Sequence, residues 1–195
     1  MVASSVGCGN TTNSQTLFDF TRPGLDNALT TWTENSDTTK TTGTSKAAFV
    51  TQKSQVFQRA VLFTLLNPKK NGAEYAAVQC DASFNLGEFN NICLRCRAQG
   101  ANVNYKMLLR HKNLDKNSVV YGQVFTAPIN EFGTMKLPFN AFKPYHRGQE
   151  LDIESNPLDT TLITSIGLKI DKGPYLPDNQ DGVAALEIDW IKATK

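Results

Sequence analysis

Arg95, Arg97, Lys106 and Arg110 stand within sixteen residues of one another and hold the clearest chemical potential in this sequence. Cations at this density suit an anion. A guanidinium fork binds carboxylate, sulfate or phosphate through two parallel hydrogen bonds, and an ammonium adds a point charge. The spacing is as telling as the type. Arg95 and Arg97 are an even number of residues apart, as are Lys106 and Arg110, so on extended strands each pair shares a face.

Other chemistry is poorly served. His111 and His146 are the two histidines, and neither has a nucleophile at a recognisable spacing. Asp152 and Glu154 share a face if extended, as a carboxylate pair would. They precede Ser155-Asn156-Pro157, a loop signal, and read as a solvated acidic loop. The chain has no glycine-rich phosphate loop, G-x-S-x-G elbow or H-E-x-x-H. It is therefore expected to bind rather than to catalyse, and no catalytic residue is assigned.

The four cysteines are Cys8, Cys80, Cys93 and Cys96. Cys93 and Cys96 have redox-motif spacing but fall within a strand pattern, where residues three apart point to opposite faces. They are not expected to bond each other. Buried thiols or one or two structural disulfides are expected, with Cys80 the better partner for one of the pair or for Cys8. Two histidines and a single C-x-x-C make a poor zinc site.

These side chains must be held by strands. Apolar and polar residues alternate in Thr16–Phe20, and strand-like runs recur between Gly, Pro and Asn punctuation. The run from Ala60 to Cys80 reads as a hairpin turning near Asn67-Pro68 and Asn71-Gly72. Asn91 to His111 reads as a second hairpin turning at Gln99–Asn102. Ser118–Ala127, Gly133–Tyr145, Thr164–Lys172 and Ala184–Ala193 supply the remaining strands. The polar stretch from Thr33 to Ala48 has little periodicity. No convincing helix and no internal repeat is found. The expected fold is all-β: a two-sheet antiparallel β-sandwich of jelly-roll type, spanning 16–195 behind a loose tail at 1–15.

Alternation then assigns faces. Ile92, Leu94, Cys96 and Ala98 point inward, as do Tyr105, Met107 and Leu109, and Ile166, Leu168 and Ile170. Arg95, Arg97, Lys106, Arg110 and Lys169 point outward. If the two strands pair as a hairpin, their cations form one solvent-facing basic patch. Residues 119–126 have an ambiguous phase. With Val120 and Val124 inward, Tyr121, Gln123 and Phe125 join the basic face. Like charges side by side destabilise a sheet, so the patch implies an anionic partner, either a glycan or a protein.

Charged residues are 19% of the 195-residue chain and the net charge is +2, too small to imply nucleic-acid binding. No apolar run approaches a membrane span. The cysteines, an N-x-T sequon at Asn10 and the Thr/Ser-rich segments favour an exported chain, with Asn10 a glycosylation site.

The order of several segments resembles a known family. "LFDF" is followed by Trp32, then "LGEFNNICLRCRAQGANVNYKMLLR", "TMKLPFNAFKPYHRGQ", "ITSIGLKIDKGP" and "LEIDWI". This pattern is similar to that of the complex I intermediate-associated protein family, whose domain resembles galactose-binding jelly rolls and carbohydrate-binding modules. The resemblance covers about residues 17–193, and Leu137-Pro138-Phe139 through Phe142 to Arg147-Gly148 is its most specific part. Where the family carries a Trp before this segment, the chain has Phe132. The resemblance implies a ligand on the concave outer face of one sheet. It also implies a structural calcium where the first and last strands meet, for which Asp19 and Asp189 are the candidate ligands. No other cofactor is expected. Two further functions follow from it: a mitochondrial complex I assembly chaperone, or a carbohydrate-active enzyme on a sugar-binding fold.

Overall fold

A computed structural model describes residues 13–22, 31–39, 43–67, 74–112, 118–172 and 180–195. Its strands are β1 (Ser14–Asp19), β2 (Trp32–Glu34), β3 (Lys46–Lys53), β4 (Gln58–Leu66), β5 (Tyr75–Phe84), β6 (Asn91–Gln99), β7 (Asn104–His111), β8 (Val120–Thr126), β9 (Gly133–Pro138), β10 (Lys143–His146), β11 (Gln149–Glu150), β12 (Ile163–Asp171) and β13 (Gly182–Thr194). Three single-turn 3-10 segments are the helical elements among the described residues.

The strands form two antiparallel sheets. One has six strands in the order β3-β4-β13-β6-β9, with β1 also paired to β13. The other has seven, in the order β11-β10-β8-β7-β12-β5-β2. The expected all-β sandwich is the observed fold.

The core lies between the sheets. Ile92, Leu94, Cys96 and Ala98 of β6 meet Tyr105, Met107 and Leu109 of β7 and Ile166, Leu168 and Ile170 of β12, all 0 or 1% exposed. Each inward residue alternates with an outward one, so the period of two decides which side chains leave water. At one end Trp32 packs on Phe49 at 4.7 Å and on Phe18 at 5.3 Å. A register shift between Thr16 and Phe18 lets β1 turn Phe18 and Phe20 toward that cluster.

The most specific sequence segment has a local physical basis. Leu137 is buried in β9, and Pro138 leads into a 3-10 turn that buries Phe139 and Phe142. Arg147 and Gly148 both have positive φ, at 51° and 83°, and join β10 to β11 as a two-residue hairpin turn. Both positions of such a turn need the left-handed region, which glycine enters freely.

Two expected hairpins are not hairpins. β4 pairs with β3 and β13, whereas β5 pairs with β2 and β12 in the other sheet. β6 likewise pairs with β13 and β9, whereas β7 pairs with β8 and β12. Each connection crosses the sandwich. After β6 the crossing begins at Gly100, whose φ of 96° turns the chain away from its sheet. β3 was not expected as a strand. Its outward positions are Lys46, Ala48, Val50 and Gln52, a mixture that blurs the polar–apolar alternation.

Candidate functional site

The basic patch expected from the sequence is divided between the two outer surfaces of the sandwich. Arg95 and Arg97 face outward from the six-stranded sheet, and Lys106, Arg110 and Lys169 face outward from the seven-stranded sheet. They cannot form one patch, because the chain crosses between sheets after Gln99. Tyr121, Gln123 and Phe125 also leave the expected set. β8 takes the opposite phase: Tyr121 and Phe125 belong to the core, and Val120 and Val124 face out. Tyr121 is 2% exposed, and its hydroxyl donates to the Pro157 carbonyl at 3.2 Å.

Arg95 and Arg97 are already neutralised. Arg97 binds Glu187 at 2.6 Å, and Arg95 binds Asp189 at 3.2 Å. Arg59 lies between these carboxylates, 3.5 Å from Glu187 and 3.8 Å from Asp189. The three guanidiniums also gather on the Phe132 ring, at 4.4, 4.8 and 5.6 Å for Arg59, Arg97 and Arg95. Phe132 is thus a cation–π platform for the three arginines.

Asp19 and Asp189 do not suit calcium. The Asp19 carboxylate accepts from Thr21 and binds Arg22 at 3.0 Å, and Asp189 is engaged by two arginines. Guanidiniums at those oxygens take the place a divalent cation would need. No group of three or more metal-ligating side chains occurs among the described residues.

The seven-stranded sheet has a different outer surface. One register row crosses it through Lys143, Gly122, Leu108, Gly167, Gln79 and Thr33. Of the two glycines in that row, Gly167 leaves a trough, whereas the Lys106 stem and Leu108 fill the space over Gly122. A Cβ on Gly122 would meet the Lys106 stem at 3.0 Å, and one on Gly167 would meet the Val78 carbonyl at 3.0 Å. One rim of the trough carries Tyr145, Val120, Arg110 and Ser165. The other carries Lys106 and Lys169, which are paired across β7 and β12.

Asp171 organises the second rim. It binds Lys169 at 2.7 Å and Lys106 at 3.3 Å. These lysines also lie over aromatic rings, Lys169 over Tyr75 at 4.6 Å and Lys106 over Tyr145 at 5.2 Å. At the far end Asn35 donates to Gln79 at 3.0 Å. A shallow recess lined by Asn35, Gln79, Leu108, Arg110, Ser165 and Gly167 lies between the rims.

The trough was only partly legible in the sequence. Lys106, Arg110 and Lys169 were foreseen, and Asp171 could have been, since it continues the outward phase of Lys169. Tyr75, Tyr145 and Asn35 were missed. Tyr145 sits on a strand of four residues, too short to show a period, and Asn35 follows a strand of three.

Burial by itself would raise the Asp171 carboxyl, but the Lys169 and Lys106 ammoniums override it and hold it below its ordinary value. The folded value is therefore lower than the unfolded one. The resulting stabilisation is complete above the unfolded pKa, about 3.9, and is lost as pH falls through the folded value. Urea unfolding followed from about pH 5 to pH 3 should show a steeper acid loss for the wild type than for Asp171→Asn. Parallel curves would show that Asp171 makes no such contribution.

His111 is held in a structural role. His111 is buried, its Nδ1 accepts from the Asp159 amide at 2.8 Å, and its ring packs on Tyr121 at 4.9 Å. Burial and Lys112 lower its pKa, so it is a neutral structural residue. Asp152 caps the Ser155 turn in the exposed acidic loop. The expected disulfides are not formed by the described cysteines: Cys80, Cys93 and Cys96 are buried thiols, and burial raises Cys96 to about 12. Cys93 and Cys96 occupy opposite faces of β6, as strand alternation requires. Cys8 and the Asn10 sequon lie outside the described residues, as does nearly all of the expected tail.

The family profile of complex I intermediate-associated protein 30 matches residues 18–188. The chain belongs to this family. In this member of the complex I intermediate-associated protein 30 family, the matched span runs from Phe18 of the aromatic cluster to Ile188 of the central strand β13. No curated protein matches the chain. Among solved structures, the fold is similar to that of the family 11 carbohydrate-binding module from Clostridium thermocellum in complex with a β-1,3-1,4-mixed-linked tetrasaccharide. That likeness has a TM-score of 0.68 at 15% identity and covers 95% of this chain and 97% of the other. The family 11 module of the cellulosomal cellulase Lic26A-Cel5E, from the same organism, gives 0.65 at 14% identity over 95% and 96%. An agarase, AgWH50C, contains a similar domain, with a TM-score of 0.57 at 10% identity over 94% of this chain and 25% of the agarase. At these identities the likeness establishes a shared jelly-roll fold. No helix among the described residues is long and apolar enough to cross a membrane.

Proposed function

We propose that this domain is a non-catalytic glycan-binding module, and that the glycan lies along the glycine trough of the seven-stranded sheet. The observation that carries this reading is the trough itself. Gly167 lowers the floor beside Leu108, between rims that present tyrosine rings, an amide pair and fixed cations, and the Lys106 stem closes the row at Gly122. Sugar recognition needs these groups: a flat ring to stack on and a few convergent polar groups to orient hydroxyls. Arg110 is assigned to the ligand's acidic or hydroxyl oxygens, and Tyr145 to a ring face. Lys106 and Lys169 share Asp171, which leaves one carboxylate against two ammoniums, so the trough favours neutral or weakly acidic oligosaccharides. The shared fold with a carbohydrate-binding module supports the reading. A glycan ligand goes with an extracellular site of action, and the family's description with a mitochondrial one. Fractionation of cells making the full-length protein would decide between them.

The test is calorimetric titration with the β-1,3-1,4-mixed-linked tetrasaccharide and with a sulfated oligosaccharide. Arg110→Ala should weaken binding about tenfold or more, since a hydrogen bond to a charged group contributes roughly 1.5–3 kcal/mol, and Tyr145→Ala should also weaken it by removing the ring on which a sugar stacks. Arg95→Ala, on the opposite surface, should leave it unchanged. The reading fails if neither sugar binds, or if Arg95→Ala weakens binding as much as Arg110→Ala.

A further inference from the structure

The segment from Asp152 to Asp159 joins β11 to the 3-10 turn at Thr160–Leu162, and it meets the sandwich at the end of β7 and the start of β8. Two hydrogen bonds that hold it there end on one pair of packed rings. The Asp159 amide donates to Nδ1 of His111 at 2.8 Å, and the Tyr121 hydroxyl donates to the Pro157 carbonyl at 3.2 Å. The rings are themselves joined, with His111 Nε2 3.4 Å from the Tyr121 oxygen. Leu158, between the two anchors, packs against the core.

This chain of bonds fixes the proton. Because Nδ1 accepts, the single proton of the neutral ring sits on Nε2. It is donated to the Tyr121 oxygen, whose own hydrogen goes to Pro157. A charged imidazole donates from both nitrogens. Its Nδ1–H would face the Asp159 N–H, donor against donor, with no acceptor between them. A charged ring and a docked segment therefore exclude each other.

We propose that His111 is an acid-sensitive fastener, and that its protonation releases the 152–159 segment from the sandwich. Among the described residues, the charged groups that bear on the ring are Lys112, at the end of β7, and Asp159, on the segment itself. From β8 the titratable neighbour is Tyr121, and from β12 the register partner is the apolar Ile163. Burial and Lys112 disfavour the imidazolium while the segment is docked, and the Asp159 carboxylate opposes them. That carboxylate already holds the Thr161 amide, the Thr161 hydroxyl and Lys112, so it captures a charged ring only by giving up those bonds. Once released, the ring regains the ordinary histidine pKa of about 6.5. Docking is therefore at full strength above about pH 6.5 and weakens as pH falls below it. Release uncovers the core side of Leu158. His111 and Tyr121 point to the core side of their strands, away from the trough, so the device does not depend on the glycan reading.

Amide hydrogen exchange of the full chain, followed by NMR at about pH 7.5 and about pH 5, is the test. Each rate is divided by the rate of an unstructured peptide at the same pH. Protection of the Asp159 amide should fall about tenfold or more in acid, with a ceiling of roughly thirtyfold for an open-state pKa of about 6.5. The Leu168 amide, in the core of β12, should keep its protection. The midpoint of the loss should coincide with the titration of the His111 ring, and that ring should carry its proton on Nε2 at the higher pH. His111→Asn supplies an uncharged acceptor near the Nδ1 position and should hold the segment equally at both pH values. His111→Phe keeps a ring on Tyr121 without an acceptor and should leave the segment open at both. Unchanged wild-type protection, a ring proton on Nδ1, a midpoint separate from that of His111, or full protection in His111→Phe would overturn the proposal. An acid loss in His111→Asn equal to that of the wild type would overturn it in favour of a titrating carboxylate.

Discussion

Leu168→Ala should lower the free energy of unfolding by about 3–4 kcal/mol, measured by urea denaturation. Leu168 is fully buried on β12, and its register partners are Val78 on β5 and Met107 on β7. The substitution removes methyl and methylene groups from water-free surroundings and leaves a cavity. Hydrogen-bonded strands on both sides limit how far the site can collapse to fill it. A control on the other sheet sharpens the test. Val183→Ala, at a position 72% exposed, should change stability by less than about 0.5 kcal/mol. Equal losses from the two substitutions would contradict the assignment of inner and outer faces.

Glu187→Ala should cost about 3 kcal/mol, a larger effect than its place on an outer surface suggests. Its side chain is 10% exposed and meets Arg97 at 2.6 Å and Arg59 at 3.5 Å, with those side chains 27% and 16% exposed. Exposed ion pairs contribute little, because water competes and long side chains lose entropy. This one differs because removal of the carboxylate leaves two partly buried guanidiniums facing each other over Phe132. The remaining carboxylate, Asp189, already serves Arg59 and Arg95. Double-mutant cycles with Arg97→Ala would measure the coupling. A loss below about 0.5 kcal/mol in Glu187→Ala would show that the network is solvent-screened.

The cations that the sequence had assigned to one surface lie on two. The trough owes its shape to Gly167, which leaves room, and its charge to an aspartate that holds two lysines. The opposite face owes its character to apolar residues that no core needs.

Alternation within each strand was legible from the sequence alone. Ile92 to Ala98, Tyr105 to Leu109 and Ile166 to Ile170 point inward as their period of two requires, because a strand's geometry is local and burial follows it. The same rule kept Cys93 and Cys96 apart. Two other features lay beyond that rule. In β8 both faces carry apolar residues, so packing rather than pattern decided that Tyr121 and Gln123 turn inward. In β3 the mixed outer positions erased the period by which a strand is recognised. The neighbour of each strand was never in the sequence. The turn at Gly100 permits either a hairpin or a crossing. The choice fell to which sheet could bury Leu94 and which could bury Met107, a free-energy difference summed over the whole core. That crossing separated Arg95 from Arg110, and brought Lys106 to Lys169 and Glu187 to Arg97 from distant parts of the chain.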